Sequence, residues 1–153
     1  MGVFCLLGRI YMNTPVDDPF AAADWVLGDM PQNVRVCVCD MHAEATSEKI
    51  GMGWHLDGRV TAVVGTHTHV PTADARILPR GTAYITDVGM TGPRGGVIGV
   101  KREQALEAMA TRMPIKFETS TEDPWLNAVL ITASEPMRAD AIEQVLEPAP
   151  GIV

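Results

Sequence analysis

Two valine-rich apolar runs constrain the fold more than any other feature of the chain. They are "VRVCVCD" at 34–40 and "VTAVVG" at 60–65. Short runs of this kind, closed by a polar residue or glycine, are typical of strands buried on both faces of a parallel sheet. Between them lies "ATSEKIGMGWHLDG", where Thr46 or Ser47 can cap a helix and Gly58 can end it. The sequence therefore predicts a strand–helix–strand unit and an α/β fold.

An earlier helix is indicated by "DDPFAAADWVL", in which Asp18 occupies a capping position and Pro19 the first helical position. The stretch "GVFCLLG" before it reads as a strand. The helix would present one apolar face, made by Phe20, Ala23 and Leu27.

The second half of the chain is less regular. "ARILPRGTAYITDVG" predicts two strands around a Pro-Arg-Gly turn, and "GMTGPRGG" predicts a loop. "KREQALEAMATRM" is typical of an amphipathic helix with four apolar residues directed inward: Ala105, Leu106, Met109 and Met113. Further strands are expected at "IKFETS", "LNAVLITA" and "AIEQVLE".

Composition excludes several classes of protein. Hydrophobic residues make up 46% and charged residues 20% of the 153 residues, as in a globular domain. The net charge of −7 argues against a nucleic-acid surface. No apolar run approaches the roughly 20 residues that span a bilayer, and the N-terminus does not resemble a signal peptide. Without disulfide or zinc-knuckle spacing, Cys37 and Cys39 are expected to be buried, reduced thiols, which favours the cytoplasm.

The histidines are the main candidates for chemistry. Of four in the chain, His42 follows the first valine-rich strand, and His67 and His69 follow the second. Ligands gather beyond the carboxyl ends of strands in open α/β sheets. If the backbone is extended there, the side chains of residues 67 and 69 project to one side and can converge. Imidazole binds zinc, iron or nickel. A metal site is therefore predicted at the edge of the sheet where these strands end, which we call the rim.

A metal pair would also need a bridging carboxylate, as in many phosphoesterases. The candidates are Asp40, Glu44, Asp74 and Asp87. Asp87 follows the strand "TAYIT", and we expect either a loop residue or an acceptor that holds a histidine ring. Asp40 and Glu44 are expected just before the helix, where negative charge is favourable.

Other motifs are weaker. "GPRGG" contains Arg94, which could approach a phosphate, but without a P-loop signature a plain turn is the better interpretation. Ser47, His42 and Asp40 suggest a catalytic triad, yet the chain has no G-x-S-x-G elbow. His55, inside the predicted helix, is expected to pack or to lie on the surface.

Longer motifs carry a family resemblance. "GRIYMNTPVDDPF", "HAEATSEK", "GTHTHVPTAD" and "GTAYITDVGMTGP" together closely resemble the bacterial YmdB-type metallophosphoesterases, across nearly the whole chain. The resemblance implies a calcineurin-like α/β/β/α sandwich, of which residues 1–153 form the C-terminal part, with two mixed sheets flanked by helices. It implies two metal ions, most often iron or manganese, and hydrolysis of phosphodiesters, including cyclic nucleotides such as 2',3'-cAMP or 3',5'-cAMP.

Residue by residue, the resemblance implies that His42 and His67 serve one metal and that His69 serves the other. We expect three further residues to contact these ligands without binding the metal themselves: Thr66, Thr68 and Asp87. The family's bridging Glu and its proton-donor His belong to an N-terminal part that this chain is expected to lack. We therefore expect a single metallophosphoesterase domain without a catalytic acid of its own, and with incomplete or no activity alone.

Two alternatives stay open. One is a non-catalytic fragment that binds a metal or a partner, associates through its exposed sheet and forms homo-oligomers. The other is an amidohydrolase-type enzyme, in which H-x-H also closes a strand. That barrel needs more strand–helix repeats than this length provides.

Overall fold

The computed structural model describes residues 1–149. The elements are β1 (Gly2–Leu7), α1 (Pro19–Asp29), β2 (Cys37–His42), α2 (Thr46–Leu56), β3 (Ala62–Thr66), β4 (Arg76–Ile77), β5 (Ala83–Ile85), β6 (Gly92–Pro93), α3 (Arg102–Thr111), β7 (Pro124–Thr132) and β8 (Ala141–Pro148). The described chain divides into two compact units: residues 1–89 with 129–144, and residues 90–128 with 145–149. The predicted single domain stays a prediction, and its residues 150–153 lie outside the described part.

The first unit is built on a five-stranded sheet in the order β1-β2-β3-β5-β4. β1, β2, β3 and β5 run parallel, and only β4 is antiparallel, where it pairs with β5 around the Pro-Arg-Gly turn. The predicted strand–helix–strand unit is thus confirmed as β2-α2-β3, although the first valine-rich run becomes strand only from Cys37. Both predicted strands around the turn are also present.

Local sequence explains how α1 begins. Asp18 has an extended backbone and its carboxylate accepts the Phe20 N–H at 3.0 Å, while Pro19 occupies the first turn, as predicted. The expected cap of α2 was wrong. Ala45 stands at the N-cap, with no side-chain hydrogen bond, so neither Thr46 nor Ser47 caps that helix.

The core of the first unit lies on both faces of the sheet. One cluster includes Cys37, Cys39 and Met41 on β2, with Met52 and Leu56 from α2. On the opposite face, a smaller cluster joins Ala62 and Ala83 of the sheet to three residues of the 129–144 segment: Ile131, Ala139 and Ile142. Cys37 and Cys39 are buried and unpaired, as predicted, and Cys5 is exposed.

A second sheet has the order β6-β7-β8, which confirms the strands expected near 126–133 and 141–147. The predicted loop at 89–96 contains the two-residue strand β6. The strand expected at 115–120 was wrong, because this segment forms only an isolated bridge between Thr119 and Val100. The α/β class with two sheets and flanking helices is confirmed.

The predicted inward face of α3 was largely wrong. Ala105 is buried, but Leu106, Met109 and Met113 are 56%, 67% and 64% exposed. The spacing gives the segment an apolar face, yet periodicity alone does not say which part of that face a neighbour covers. Among the helices of residues 1–149, none has the length and apolar character to cross a membrane.

Candidate metal centre

The predicted histidine rim lies at the carboxyl ends of β2 and β3. The parallel register pairs His42, the last residue of β2, with Thr66, the last residue of β3. His67 follows directly. Because neighbouring parallel strands end side by side, residues far apart in the sequence meet at this edge.

The backbone after β3 is not extended, which corrects the expectation for the H-x-H motif. His67 has φ 96° and His69 has φ 68°, so two non-glycine residues with positive φ flank Thr68. Such conformations cost about 1–3 kcal/mol each and persist only where the surroundings impose them. The two histidines thus belong to a strained turn rather than to one side of a strand.

This turn brings His67 against His42. The Nδ1 atom of His67 lies 3.1 Å from Nε2 of His42. The rings meet edge to face, with centroids 4.8 Å apart and an angle of 86° between their planes. Both side chains are half-buried, so the space beside the two nitrogens remains open to solvent.

A chain of two hydrogen bonds, from His42 through Thr66 to Asp40, determines which ring nitrogen of His42 carries the proton. The Thr66 hydroxyl donates to Oδ1 of Asp40 at 2.7 Å, so its oxygen is free to accept from Nδ1 of His42 at 2.9 Å. Nδ1 of His42 therefore carries the hydrogen, and Nε2 presents a lone pair toward His67. Asp40 lies within β2, not before the helix as expected.

Glu44 has a matching effect on His67. Its Oε2 lies 3.2 Å from Nε2 of His67, and this negative charge favours a proton on that nitrogen. In the neutral ring, Nδ1 then presents a lone pair toward His42. Two lone pairs at 3.1 Å repel unless a proton or a metal cation lies between them.

The spacing of these nitrogens fits a metal ion. With metal–nitrogen bonds of about 2.0–2.1 Å, two imidazole ligands of one ion are separated by roughly 2.9–3.4 Å. The observed 3.1 Å falls in that range. A carboxylate or hydroxyl on the non-binding nitrogen is also the usual arrangement around metal-binding histidines. His42 and His67 therefore have the donor chemistry and the separation for a shared cation.

His69 does not join this pair. Its side chain is exposed, and within residues 1–149 no group of three or more His, Cys, Asp or Glu side chains is arranged to hold a metal. The assignment of His69 to a second metal remains a prediction.

Asp87 supports the turn rather than a histidine ring. Its Oδ2 accepts from Nζ of Lys49 at 2.7 Å and from the N–H and hydroxyl of Thr68 at 3.1 and 2.6 Å. Its Oδ1 accepts the Gly89 N–H at 2.8 Å. Burial acts to raise the pKa of Asp87, but the hydrogen bonds from Lys49, Thr68 and Gly89 outweigh it and hold the pKa below its usual value.

Asp74 has a similar structural role. Thr72 and Thr86 donate their hydroxyls to it at 2.7 and 2.6 Å, and the Thr86 N–H donates at 3.1 Å. Burial opposes ionisation, and these hydrogen bonds, with Arg76 nearby, keep the pKa of Asp74 lowered. Both carboxylate oxygens thus hold the loop after β5, which disfavours Asp74 as a bridging ligand.

Two residues of α2 were missed by the sequence reasoning. Lys49 is fully buried, against the habit of lysine, and pairs with Asp87 across 38 positions. Glu48 accepts the backbone N–H groups of Arg9 and Ile10 at 2.9–3.1 Å and so holds the loop after β1. The "SEK" letters gave no periodic signal for either contact, because both partners are distant in the sequence.

The weaker candidates have ordinary structural roles. The guanidinium of Arg94 stacks over the Trp125 ring at 4.1 Å. The backbone N–H of Arg94 donates a hydrogen bond to the Asp123 carbonyl, in agreement with a turn. His55 packs against Phe20 and lies 2.9 Å from the Asp24 carboxylate, as expected of a surface residue. Ser47 is exposed, and the described hydrogen bonds place it in no triad with His42 and Asp40.

Fold and rim together define an α/β protein with a histidine pair beyond the parallel strands. Residues 1–145 match the family described as YmdB-like protein, and the chain belongs to that family. It is 46% identical over 147 residues to a Bacillus subtilis protein named 2',3'-cyclic-nucleotide 2'-phosphodiesterase, covering 95% of this chain and 55% of that relative.

Two solved structures show the same fold. One, a hypothetical protein from Thermus thermophilus, is 40% identical with a TM-score of 0.90, over 97% of this chain and 57% of that one. The other, described as a novel phosphatase from Mycoplasma pneumoniae, is 35% identical with a TM-score of 0.81, over 97% and 54%. The chain thus spans about half the length of these relatives.

Proposed function

We propose that this chain carries the histidine side of a metal-dependent phosphodiesterase centre. The observation that supports it most is the 3.1 Å separation between Nε2 of His42 and Nδ1 of His67. The ring N–H of His42 is on Nδ1, directed toward Thr66 and away from His67. The family membership and the phosphodiesterase name of the Bacillus relative agree with this activity.

The residues of the rim have separate tasks in this proposal. His42 and His67 would hold one ion, most often iron or manganese, and His69 would contribute to a second. Bound metal would supply positive charge that polarises a phosphoryl oxygen and activates water. Asp40 and Thr66 keep the His42 lone pair directed at the ion, and Glu44, beside Nε2 of His67, leaves Nδ1 of that ring to the ion.

The proposed substrates are small phosphodiesters, including cyclic nucleotides such as 2',3'-cAMP and 3',5'-cAMP. They are anionic, and the chain has a net charge of −7, so metal charge would be needed to attract them. No side chain of this chain is assigned as the proton donor to the leaving group. The free thiols of Cys37 and Cys39 are consistent with a reducing compartment, so a cytoplasmic location remains part of the proposal.

The decisive test compares Thr66→Val with Thr66→Ser. Valine removes the hydroxyl that joins Asp40 to His42, whereas serine retains it. Loss of such a partner typically weakens metal binding by about 10- to 100-fold. Titration calorimetry with Mn²⁺ should show this loss for Thr66→Val and a near wild-type affinity for Thr66→Ser. Wild-type protein that binds neither Mn²⁺, Fe²⁺ nor Zn²⁺ would refute the metal centre.

Hydrolysis is measured separately, with bis-p-nitrophenyl phosphate and cyclic nucleotides in the presence of Mn²⁺. Metal binding without turnover would support the metal site but would refute hydrolysis by this chain alone. The expected pattern is that any turnover is lost on His67→Ala and retained in Asp24→Asn, a surface control on α1.

The second candidate is a partner-binding fragment that acts through its sheet. β1 is at the edge of the five-stranded sheet, and its Val3 and Leu7 are 66% and 37% exposed. Exposed apolar edge strands favour pairing with another chain. Sedimentation of wild-type protein and Val3→Lys tests this: a homo-oligomer that dissociates in the variant supports it, and a monomeric wild type refutes the self-associating form.

A further inference from the structure

We propose that the buried Lys49–Asp87 ion pair is a positioning device that fixes the His67–Thr68–His69 turn through Thr68. The inference rests on the proposed function for its metal part only. Its structural part, the anchoring of the turn, stands on the geometry of the first unit.

Three donors converge on one oxygen of Asp87. Oδ2 accepts from Lys49 at 2.7 Å, from the Thr68 hydroxyl at 2.6 Å and from the Thr68 N–H at 3.1 Å. Hydrogen bonds to a charged acceptor are stronger than neutral ones. The central residue of the turn is therefore held by both its backbone and its side chain.

Lys49 supplies the positive charge that a buried carboxylate requires. The Lys49 side chain has no exposed surface, and that of Asp87 is 2% exposed. An isolated carboxylate would be strongly disfavoured in such a place. Lys49 is also restrained by close packing, since its Cδ lies 2.9 Å from the position that a Cβ on Gly65 would occupy. The ammonium group is thus fixed in relation to β3, directly before the histidine turn.

The anchored residue lies between the two strained ones. His67 and His69 both have positive φ, a conformation that is uncommon outside glycine and persists where the surroundings hold it. Neither ring contacts Asp87 in the described hydrogen bonds, so the restraint reaches them through the Thr68 backbone. Release of Thr68 would let the turn relax and would remove Nδ1 of His67 from its place 3.1 Å from His42.

The first arm of the test measures the turn without any metal. The double variant Lys49→Met/Asp87→Ala removes the anchor without leaving a buried unpaired charge, and Thr68→Val removes only the hydroxyl. In the double variant, hydrogen exchange of the Thr68 amide, which Asp87 accepts in the wild type, should accelerate by about tenfold or more while the β3 amides stay protected. Thr68→Val should show a smaller acceleration, and Thr68→Ser should match wild type.

The second arm measures Mn²⁺ affinity by calorimetry. We expect it to weaken by about 10- to 100-fold in the double variant, as for other partners behind metal ligands. The control is Asp24→Ala/Arg59→Met, which also removes a cation and a carboxylate that form an ion pair, but an exposed one, and should change neither readout.

The outcomes separate the two proposals. Unchanged exchange of the Thr68 amide in a folded double variant overturns the positioning role, as does wild-type Mn²⁺ affinity in that variant. Faster exchange together with a wild-type protein that binds no Mn²⁺ overturns the proposed function and supports the anchoring of the turn. If the double variant does not fold, Thr68→Val against Thr68→Ser decides the same question by the same exchange measurement.

Discussion

Replacing Gly65 with alanine should be the most damaging single-methyl change near the rim. A Cβ at this position would lie 1.7 Å from the carbonyl oxygen of Thr86 and 2.6 Å from its carbonyl carbon. Both are backbone atoms, so no side-chain rotation relieves the clash. Because ordinary contact begins at 3.4 Å, one segment must move by about 1.7 Å (3.4 − 1.7).

Such a movement separates β3 from the segment after β5. It breaks the 3.0 Å hydrogen bond from the Val88 N–H to the Gly65 carbonyl and crowds Lys49. Overpacking of a core typically costs about 1–3 kcal/mol, and a backbone clash belongs at the upper end, so we expect about 3 kcal/mol. For a chain of this size that corresponds to a fall in Tm of about 6–12 °C.

Gly28 provides the matched control. It lies in α1, and beyond its chain neighbours and the helix's own backbone no atom is within 4 Å of the position that its Cβ would take. The same Gly→Ala change there should leave stability unchanged or raise it by up to about 1 kcal/mol, because alanine favours helix. Urea and thermal denaturation of both variants measure the difference. If Gly65→Ala unfolds within about 0.5 kcal/mol of Gly28→Ala, the steric reasoning is wrong.

Three further predictions concern single groups. Asp18→Ala should lower the unfolding free energy by about 0.5–2 kcal/mol through loss of the α1 cap, and an unchanged urea midpoint would contradict this. Cys5 is exposed as a residue, but partial desolvation of its thiol and the nearby Asp40 raise its pKa to about 11. Its alkylation by iodoacetamide, followed by mass spectrometry, should therefore still accelerate above about pH 9. Because the pKa of Asp87 lies below its ordinary value of 3.8, its stabilising contribution is complete above that pH and is lost as pH falls through the folded-state pKa. Acid denaturation of Asp87→Asn should accordingly show a shallower decline, and equal slopes would refute the assignment.

Features set by local sequence were predicted well. The cap at Asp18 and the proline after it determine where α1 begins, and the valine-rich runs determine β2 and β3. The strand ends then placed His42 and the residues after Thr66 at one rim without any knowledge of long-range contacts.

Features set by distant contacts were not predicted. Nothing in the letters "THTH" indicates positive φ at two histidines, and the central Thr68 of this turn is hydrogen-bonded to Asp87, which is distant in the sequence. Burial of Lys49 contradicts the usual behaviour of lysine and becomes intelligible only once its partner is seen. The prediction of a buried face on α3 was wrong for a related reason. Apolar periodicity shows that a helix has an apolar face, but not which residues of that face another element covers.

The consecutive residues Glu48 and Lys49 have a consequence for cooperativity. Both lie in one turn of α2. Glu48 accepts hydrogen bonds from Arg9 and Ile10 in the loop after β1, and Lys49 donates one to Asp87 in the loop after β5. Neither loop can detach without breaking a hydrogen bond to the helix, and the helix cannot rotate without disturbing both. These loops should therefore open only together with α2, at a free energy close to that of global unfolding, instead of behaving as independently mobile connections.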